Sequence, residues 1–405
     1  MRTGTYILAV QGEGRGHLMQ ALVVYDVLTS AGHEVCCVVV GLPSDRLLPD
    51  FFRARVAAPV VCLPSPGFVK RAGRAISLRL TLWRALSRLP EHVSSLRRFH
   101  RLVTFHRPDA VVNFYEPLSG LHGLLCRRMV RRISIAHQYV YLHECFGIPG
   151  AGAWQRWLLR AFTRLTAAGS ERMLALSIGE MAASRDVRLR VVPPILRREL
   201  LSVSPSDEGY LLVYLVNPGY MPDVVHWHAA NPGVRVHCFT DAPMVRDVHG
   251  GHYLAGEGLN FHAIDDRHFL RLLAGCRAVV TSAGFETVCE ALLLGKPIRM
   301  VPVDGHQEQR SNALDAARQG LASWSRSYDT MGGVLSQPGV PQGFGEAFRQ
   351  RVLAMHGILL AEIAPGSGTS DAKVVEMSLH RASVLPAGAM TAVEAEPVSG
   401  NAANA

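Results

Sequence analysis

The stretch Val280 to Ala313, VTSAGFETVCEALLLGKPIRMVPVDGHQEQRSNA, decides the fold. An apolar run from Arg277 to Thr281 reads as a buried strand, and Ser282-Ala283-Gly284 supplies small residues for a sharp turn. Val288, Ala291, Leu292 and Gly295 recur at helical spacing, so Phe285 to Leu294 is predicted to be a helix that Gly295-Lys296-Pro297 stops. Ile298 to Val303 follows as a strand, and His306-Gln307-Glu308-Gln309 opens another helix. A small-residue loop feeding a helix N-terminus binds anions, because the first N–H groups lack intrahelical partners and the helix dipole adds positive potential. Ser282, Gly284, Phe285, Glu286 and Thr287 are therefore expected around a phosphate. Glu290, four residues beyond Glu286, could accept from two vicinal ribose hydroxyls, and Glu308 and Gln309 point at whatever the phosphates carry. The plainer reading is an ordinary strand–helix unit with a helix cap.

Outward from this stretch the alternation continues. Tyr210 to Val216, Arg235 to Thr240 and Leu259 to Ile264 read as strands, and Asp265 to Gly275 as a helix, which places a domain at 208–340. Pro193-Pro194 and the serines around Pro205 mark a linker. Before it lies a first domain, 1–195, with strands at Thr5 to Val10, His33 to Val40, Asp109 to Tyr115, Ile133 to Tyr139, Met173 to Ser177 and Leu189 to Val192. Its helices are predicted at Leu18 to Ala31, after Pro117 as far as Arg132, and at Trp154 to Ala168. The expected fold is α/β: two doubly wound domains facing across a cleft, with a C-terminal helix within 341–364 and a disordered tail at 365–405.

Gln11-Gly12-Glu13-Gly14-Arg15-Gly16-His17 joins the first strand to the first helix. The glycines alternate, so a full Gly-x-Gly-x-x-Gly dinucleotide fingerprint is absent. His17 reads as a base at the mouth of a cleft, or more plainly as a cap or buried structural histidine. Gly14, Gly16, Glu116 and His137 stand at or after predicted strand ends, where open α/β sheets bind ligands. Asp26 and Glu116 are conceivable orienting partners for His17.

The spacing Gly284, Glu290, Gly295-Lys296-Pro297, Pro302 and His306-Gln307-Glu308-Gln309-Arg310-Ser311-Asn312-Ala313 resembles the donor-binding segment of inverting GT-B glycosyltransferases, a group that includes lipid-linked and UDP-sugar enzymes of peptidoglycan and glycolipid synthesis. The loop before His17 is similar to the Gly-x-Gly-His loop that opens the acceptor domain of many of them. The resemblance implies that Glu290 holds a ribose, that Glu308 and Gln309 hold the donor sugar with His306 in the same motif, and that His17 is the general base. It implies a nucleotide diphosphate sugar, commonly a UDP-sugar, as substrate, with no cofactor and no metal. Serine at position 282 departs from the histidine of plant members and the glutamate of many retaining members. Two other functions fit the same fold: a nucleotide-sugar 2-epimerase, or a non-catalytic protein that binds sugar nucleotides or a membrane surface.

Bulk properties narrow the partners. With 405 residues, 48% of them hydrophobic, the chain can bury two cores. Eight cysteines without a Cys-x-x-Cys pair read as reduced thiols of a cytoplasmic protein, and no apolar run approaches the ~20 residues of a membrane span. His226, His228, His249 and His252 lack a third ligand at motif spacing. Residues 1–192 carry 26 Lys+Arg against 12 Asp+Glu, whereas residues 193–405 carry 16 against 21. Ten of the basic residues lie between Gly67 and Pro108 beside a single acid, Glu91, with Ile76, Leu80, Trp83 and Leu86 on one helical face. Such a helix either lies on an anionic membrane at the inner face or packs inward as an ordinary domain helix. The expected partners are thus a sugar nucleotide, a lipid or small-molecule acceptor and an anionic membrane surface, without nucleic acid.

Overall fold

The structure, a computed structural model, describes residues 3–43, 46–67, 70–71, 75–76, 78–248, 251–341 and 343–364; the tail predicted to be disordered lies outside the described residues. The first sheet is built from β1 (Thr5–Gln11), β2 (Glu34–Leu42), β3 (Val60–Pro64), β6 (Ala110–Phe114), β7 (Arg131–Ala136), β8 (Arg172–Leu176) and β9 (Leu189–Val192). Two-residue strands β4 (Lys70–Arg71) and β5 (Ala75–Ile76) form a separate hairpin. The first sheet has the order β3-β2-β1-β6-β7-β8-β9, and every pairing in it is parallel. The second contains β10 (Tyr210–Leu215), β11 (Arg235–Thr240), β12 (His252–Gly256), β13 (Leu259–His262), β14 (Ala278–Thr281), β15 (Ile298–Met300) and β16 (Ser323–Trp324). Its order is β12-β13-β11-β10-β14-β15-β16, with only β12 antiparallel.

Parallel strands are covered on both faces, which is why β1 reads as a continuous apolar run and buries Tyr6 through Gln11. The covering helices of the first domain are α1 (Arg15–Ser30), α2 (Asp50–Arg55), α3 (Leu78–Ser87), α4 (Leu89–His106), α5 (Pro117–Leu125) and α6 (Ala153–Thr166). Those of the second are α7 (Met221–Ala230), α8 (Pro243–Arg246), α9 (Asp266–Gly275), α10 (Phe285–Leu293) and α11 (Gln307–Arg318). Strand order reverses direction beside β1 and β6 in one sheet and beside β10 and β14 in the other, so each domain opens a crevice at those carboxyl ends. The two crevices face each other. The last helix, α12 (Phe344–Ile363), returns to the first domain, where Arg131 donates to the carbonyls of Glu362 and Ile363 and Arg351 donates to that of Ile178.

Two boundaries differ from the sequence expectation. The helix predicted to reach Arg132 ends at Leu125, and β7 starts at Arg131. Arg132, the last of four arginines between 127 and 132, is fully buried inside the strand. The strand predicted to reach Tyr139 stops at Ala136, and His137–Leu142 turns into a 3-10 helix that brings His137 to the other domain. The amphipathic face on α3 does not pack inward: Leu80, Trp83 and Leu86 are 43%, 69% and 61% exposed. Ile76 lies outside that helix, in β5.

Candidate active site

Two helix N-termini meet across the cleft. Gly14 caps α1 and Gly284 caps α10; both are extended, and neither helix end is closed by a side chain. The unpaired first-turn N–H groups therefore remain available to an anion. Ala283, just before Gly284, is held at φ 64°, a left-handed conformation that a residue with a Cβ rarely adopts. Such backbone strain is common where a loop is shaped to meet a ligand. The glycine at 16 has a separate reason. A Cβ there would meet the Glu286 carboxylate, so the two domains approach closely at this point and a larger residue would push that carboxylate aside.

His17 stands one turn into α1. Its ring stacks on Tyr115 with centroids 5.8 Å apart and planes 19° apart, and its Nε2 lies 3.5 Å from the Gln138 amide. Tyr115 is also strained, at φ 59°, and its hydroxyl bonds to Thr163 at 2.8 Å. Burial pulls the His17 pKa down from 6.5 to about 4, against an upward pull from the Gln20 side chain. The imidazole is therefore neutral at pH 7 and can accept a proton. Nδ1 of His17 and Oε1 of both Gln20 and Gln138 are buried without a hydrogen-bond partner among the described residues. Gln138 also acts on Glu308, pulling its pKa down against burial, and so lies between His17 and the motif expected to hold the sugar.

Neither carboxylate considered as a partner for His17 is beside it. Asp26 pairs with Arg55 at 3.0 Å on the far part of α1. Glu116 is fully buried: it caps α5 by accepting from Leu118 N at 3.0 Å, and it accepts from Ser65 Oγ at 2.8 Å. Burial raises its pKa to about 7. Glu116 is thus a structural cap rather than a group open to an acceptor. His137 is also committed. It lies 2.9 Å from Asn312 Oδ1 and 2.8 Å from the Leu176 carbonyl, and stacks on Phe285 at 3.9 Å, clamping the domains together.

On the donor side the expected residues divide. Ser282 is fully buried and turns its hydroxyl toward Tyr328 OH at 3.2 Å, so the side chain supports the loop from behind and does not reach the cleft. Thr287 and Gly284 remain partly exposed. Glu286 does not point to a phosphate: its carboxylate accepts from Gln20 of the opposite domain, and burial raises its pKa to about 7. Glu290 forms a buried ion pair with Arg197 at 2.8 Å; burial raises the Glu290 pKa and Arg197 pulls it back. His306 caps α11 through its own side chain, and Gln309 turns inward to accept from Val303 N at 2.9 Å. Glu308 stays at the cleft, half-buried. Arg15, Gln20, Gln138, Arg197 and Tyr214 complete the site but were not singled out from sequence. The glycine loop holds Arg15 and the triplet His137-Gln138-Tyr139 holds Gln138, so two of them stood in plain view.

One group among the described residues has the spacing of a metal centre: His100, His122 and Cys126, whose ligand atoms lie within 4.8 Å of one another. Arg132 Nη2 lies 2.9 Å from His122 Nδ1 and can only donate there. His122 Nε2 then carries the proton and faces His100 Nδ1 at 3.2 Å. A cation would have to expel that proton beside a buried arginine, so the group does not fit a metal. His252 belongs to a cluster with His237, His262 and His268, and His249 lies outside the described residues.

The chain belongs to the glycosyl transferase family 1 group, whose family model matches residues 5–335. It is a GT-B glycosyltransferase of two Rossmann-like domains. Similar solved structures include CalG4, the calicheamicin glycosyltransferase, at 21% identity and TM-score 0.56 over 95% of this chain and 100% of that one. The spinosyn rhamnosyltransferase SpnG complexed with thymidine diphosphate is similar at 16% identity and TM-score 0.54, over 87% and 96%. MurG of Acinetobacter baumannii is similar at 15% identity and TM-score 0.50, over 94% and 100%. No curated protein sequence matches. No helix among the described residues is long and apolar enough to cross a membrane.

Proposed function

We propose that this glycosyltransferase moves a sugar from a nucleotide diphosphate sugar, a UDP-sugar in the first instance, to an acceptor hydroxyl with inversion and without a metal. The observation that carries the reading is a neutral imidazole, His17, opposite an uncapped helix N-terminus whose loop is strained. His17 takes the acceptor proton as the oxygen attacks the anomeric carbon. The bond to the diphosphate breaks on the opposite face, so one displacement inverts the configuration. The leaving charge falls on the N–H groups of α10, with α1 facing them, which supports a reaction that needs no cation. Glu290 takes the ribose, and Glu308 with Gln138 meets the sugar. The acceptor is a lipid or an apolar small molecule. The exposed apolar residues of α3 support a first domain that rests on an anionic membrane surface while it collects that acceptor.

The test is a thermal-shift screen of UDP-, dTDP- and GDP-sugars, followed by product mass and anomeric configuration with lipid and small-molecule acceptors. Release of a free 2-epimer from the nucleotide sugar alone would replace transfer by epimerisation. Binding without turnover on any acceptor would leave a sugar-nucleotide binding protein.

A further inference from the structure

Arg15 lies in the cleft with half of its guanidinium unspent. It is the first residue of α1, on the acceptor side. Its Cζ sits 4.4 Å from the Phe51 ring centroid, which fixes the plane of the group. Its charge also acts on Tyr214, which belongs to β10 of the other domain, and pulls down a hydroxyl pKa that burial raises. Its Nε and Nη1 are buried without a hydrogen-bond partner among the described residues. A desolvated guanidinium edge is costly unless an anion meets it, and two adjacent N–H groups match two oxygens of a phosphate. The place agrees. Tyr214 is in register with Thr281 at the end of β14, and its carbonyl accepts from Ser282 N at 3.3 Å, so Arg15 reaches the start of the strained donor loop. The other nearby arginine, Arg197, is paired with Glu290.

We infer that Arg15 is the acceptor domain's ligand for the donor diphosphate, a positioning residue that binds the leaving group only when the two domains are together. The inference rests on the donor reading above and adds to it a contact from the opposite domain. Because Arg15 and the α10 N-terminus belong to different domains, a diphosphate held by both is a bridge. Binding it draws the cleft closed and sets the charge on the leaving oxygen before transfer. A nucleoside lacking phosphates engages the second domain alone and does not feel Arg15.

The experiment is calorimetric titration of wild type, Arg15→Gln, Arg15→Lys and Tyr214→Phe with UDP, dTDP and GDP and with uridine, thymidine and guanosine, with melting curves as the folding control. For whichever diphosphate wild type binds, Arg15→Gln is expected to weaken binding at least tenfold and leave nucleoside binding unchanged. Arg15→Lys should recover part of the loss, and Tyr214→Phe, which keeps the charge, should retain most of the affinity. Equal diphosphate affinity in wild type and a folded Arg15→Gln sinks the inference alone. So does an equal loss for nucleoside and diphosphate, the mark of a merely structural residue. A wild type that binds no nucleoside diphosphate sinks the donor reading and the inference together.

Discussion

His17 is half-buried between Tyr115 and Gln138, and that surrounding sets its chemistry. With a pKa lowered to about 4, the free enzyme should keep its base unprotonated down to mildly acid pH. The acid limb of kcat/KM is expected near pH 4 instead of 6.5, read from a pH–rate profile. His17→Ala should cost about 10²–10⁴-fold in turnover, the usual worth of a general base, while donor affinity by titration stays the same. An acid limb at 6.5, or a folded variant with normal turnover, removes His17 from the chemistry. Glu290 poses a different case because Arg197 already holds it. Glu290→Ala should weaken nucleotide binding by about 1–3 kcal/mol, the loss of a charged hydrogen-bond partner. It should also destabilise the fold by about 3–5 kcal/mol, because Arg197 is left buried and unpaired. Adding Arg197→Met should restore much of the melting temperature and none of the affinity; recovery of both would end the ribose role. His17 and Glu290 were legible in the sequence because their motifs are local. Gln138 and Arg197 were not, because they meet their partners across 121 and 93 residues, and no spacing rule spans such a distance.

Among the elements, α3 departs most from what a packed domain requires. An amphipathic period alone cannot say which way a helix faces, and the sequence left both orientations open. In the fold Trp83, Leu86 and the neighbouring Leu89 of α4 are more than half exposed. On α6 a second aromatic pair, Trp154 and Trp157, stacks at 4.8 Å and is 68% and 57% exposed. α5 packs between α4, which carries Leu89, and α6, which carries the tryptophan pair. Basic residues near such a surface add on the order of 1 kcal/mol each toward anionic lipid, and salt screens them. The chain is expected to pellet with vesicles containing anionic lipid, to release at high salt, and to lose most of that binding in Trp83→Ala/Leu86→Ala. Equal recovery in the supernatant with neutral and anionic vesicles would mean that these residues serve another contact. The alternating strands of both domains were easier to read, since strands buried on both faces are apolar throughout. β7 was the exception, because Arg132 interrupts the pattern from inside the core.

At the scale of the molecule, buried titratable groups act against one another. His17 and His122 are lowered to about 4 and His262 to about 3, each first by burial. Their unfolded counterparts protonate near 6.5, so the unfolded chain binds more protons below that pH and stability falls as the medium becomes acid. Glu116 and Glu286, raised to about 7 by burial, work the other way between about 7 and 4.5, where the native state holds their protons and the unfolded chain does not. The two effects partly cancel down to about pH 4.5; below it only the histidines continue. Melting temperature is expected to change little between pH 7 and 5 and to fall steeply from about 4.5 toward 3. A steep fall centred at 6.5 would mean that the glutamates are ionised in the native state.

The return of α12 means that the polypeptide passes between the domains twice, once through the exposed residues 204–209 and again before Phe344. A single protease nick in the first passage leaves a fragment whose tail is still plugged into the other half through Arg131 and Arg351. Two tethers also limit what the halves can do. Sliding past one another or drifting apart would require α12 to be pulled out of its contacts with the first domain. The halves are therefore fastened like a door on two pins, and neither pin alone holds them.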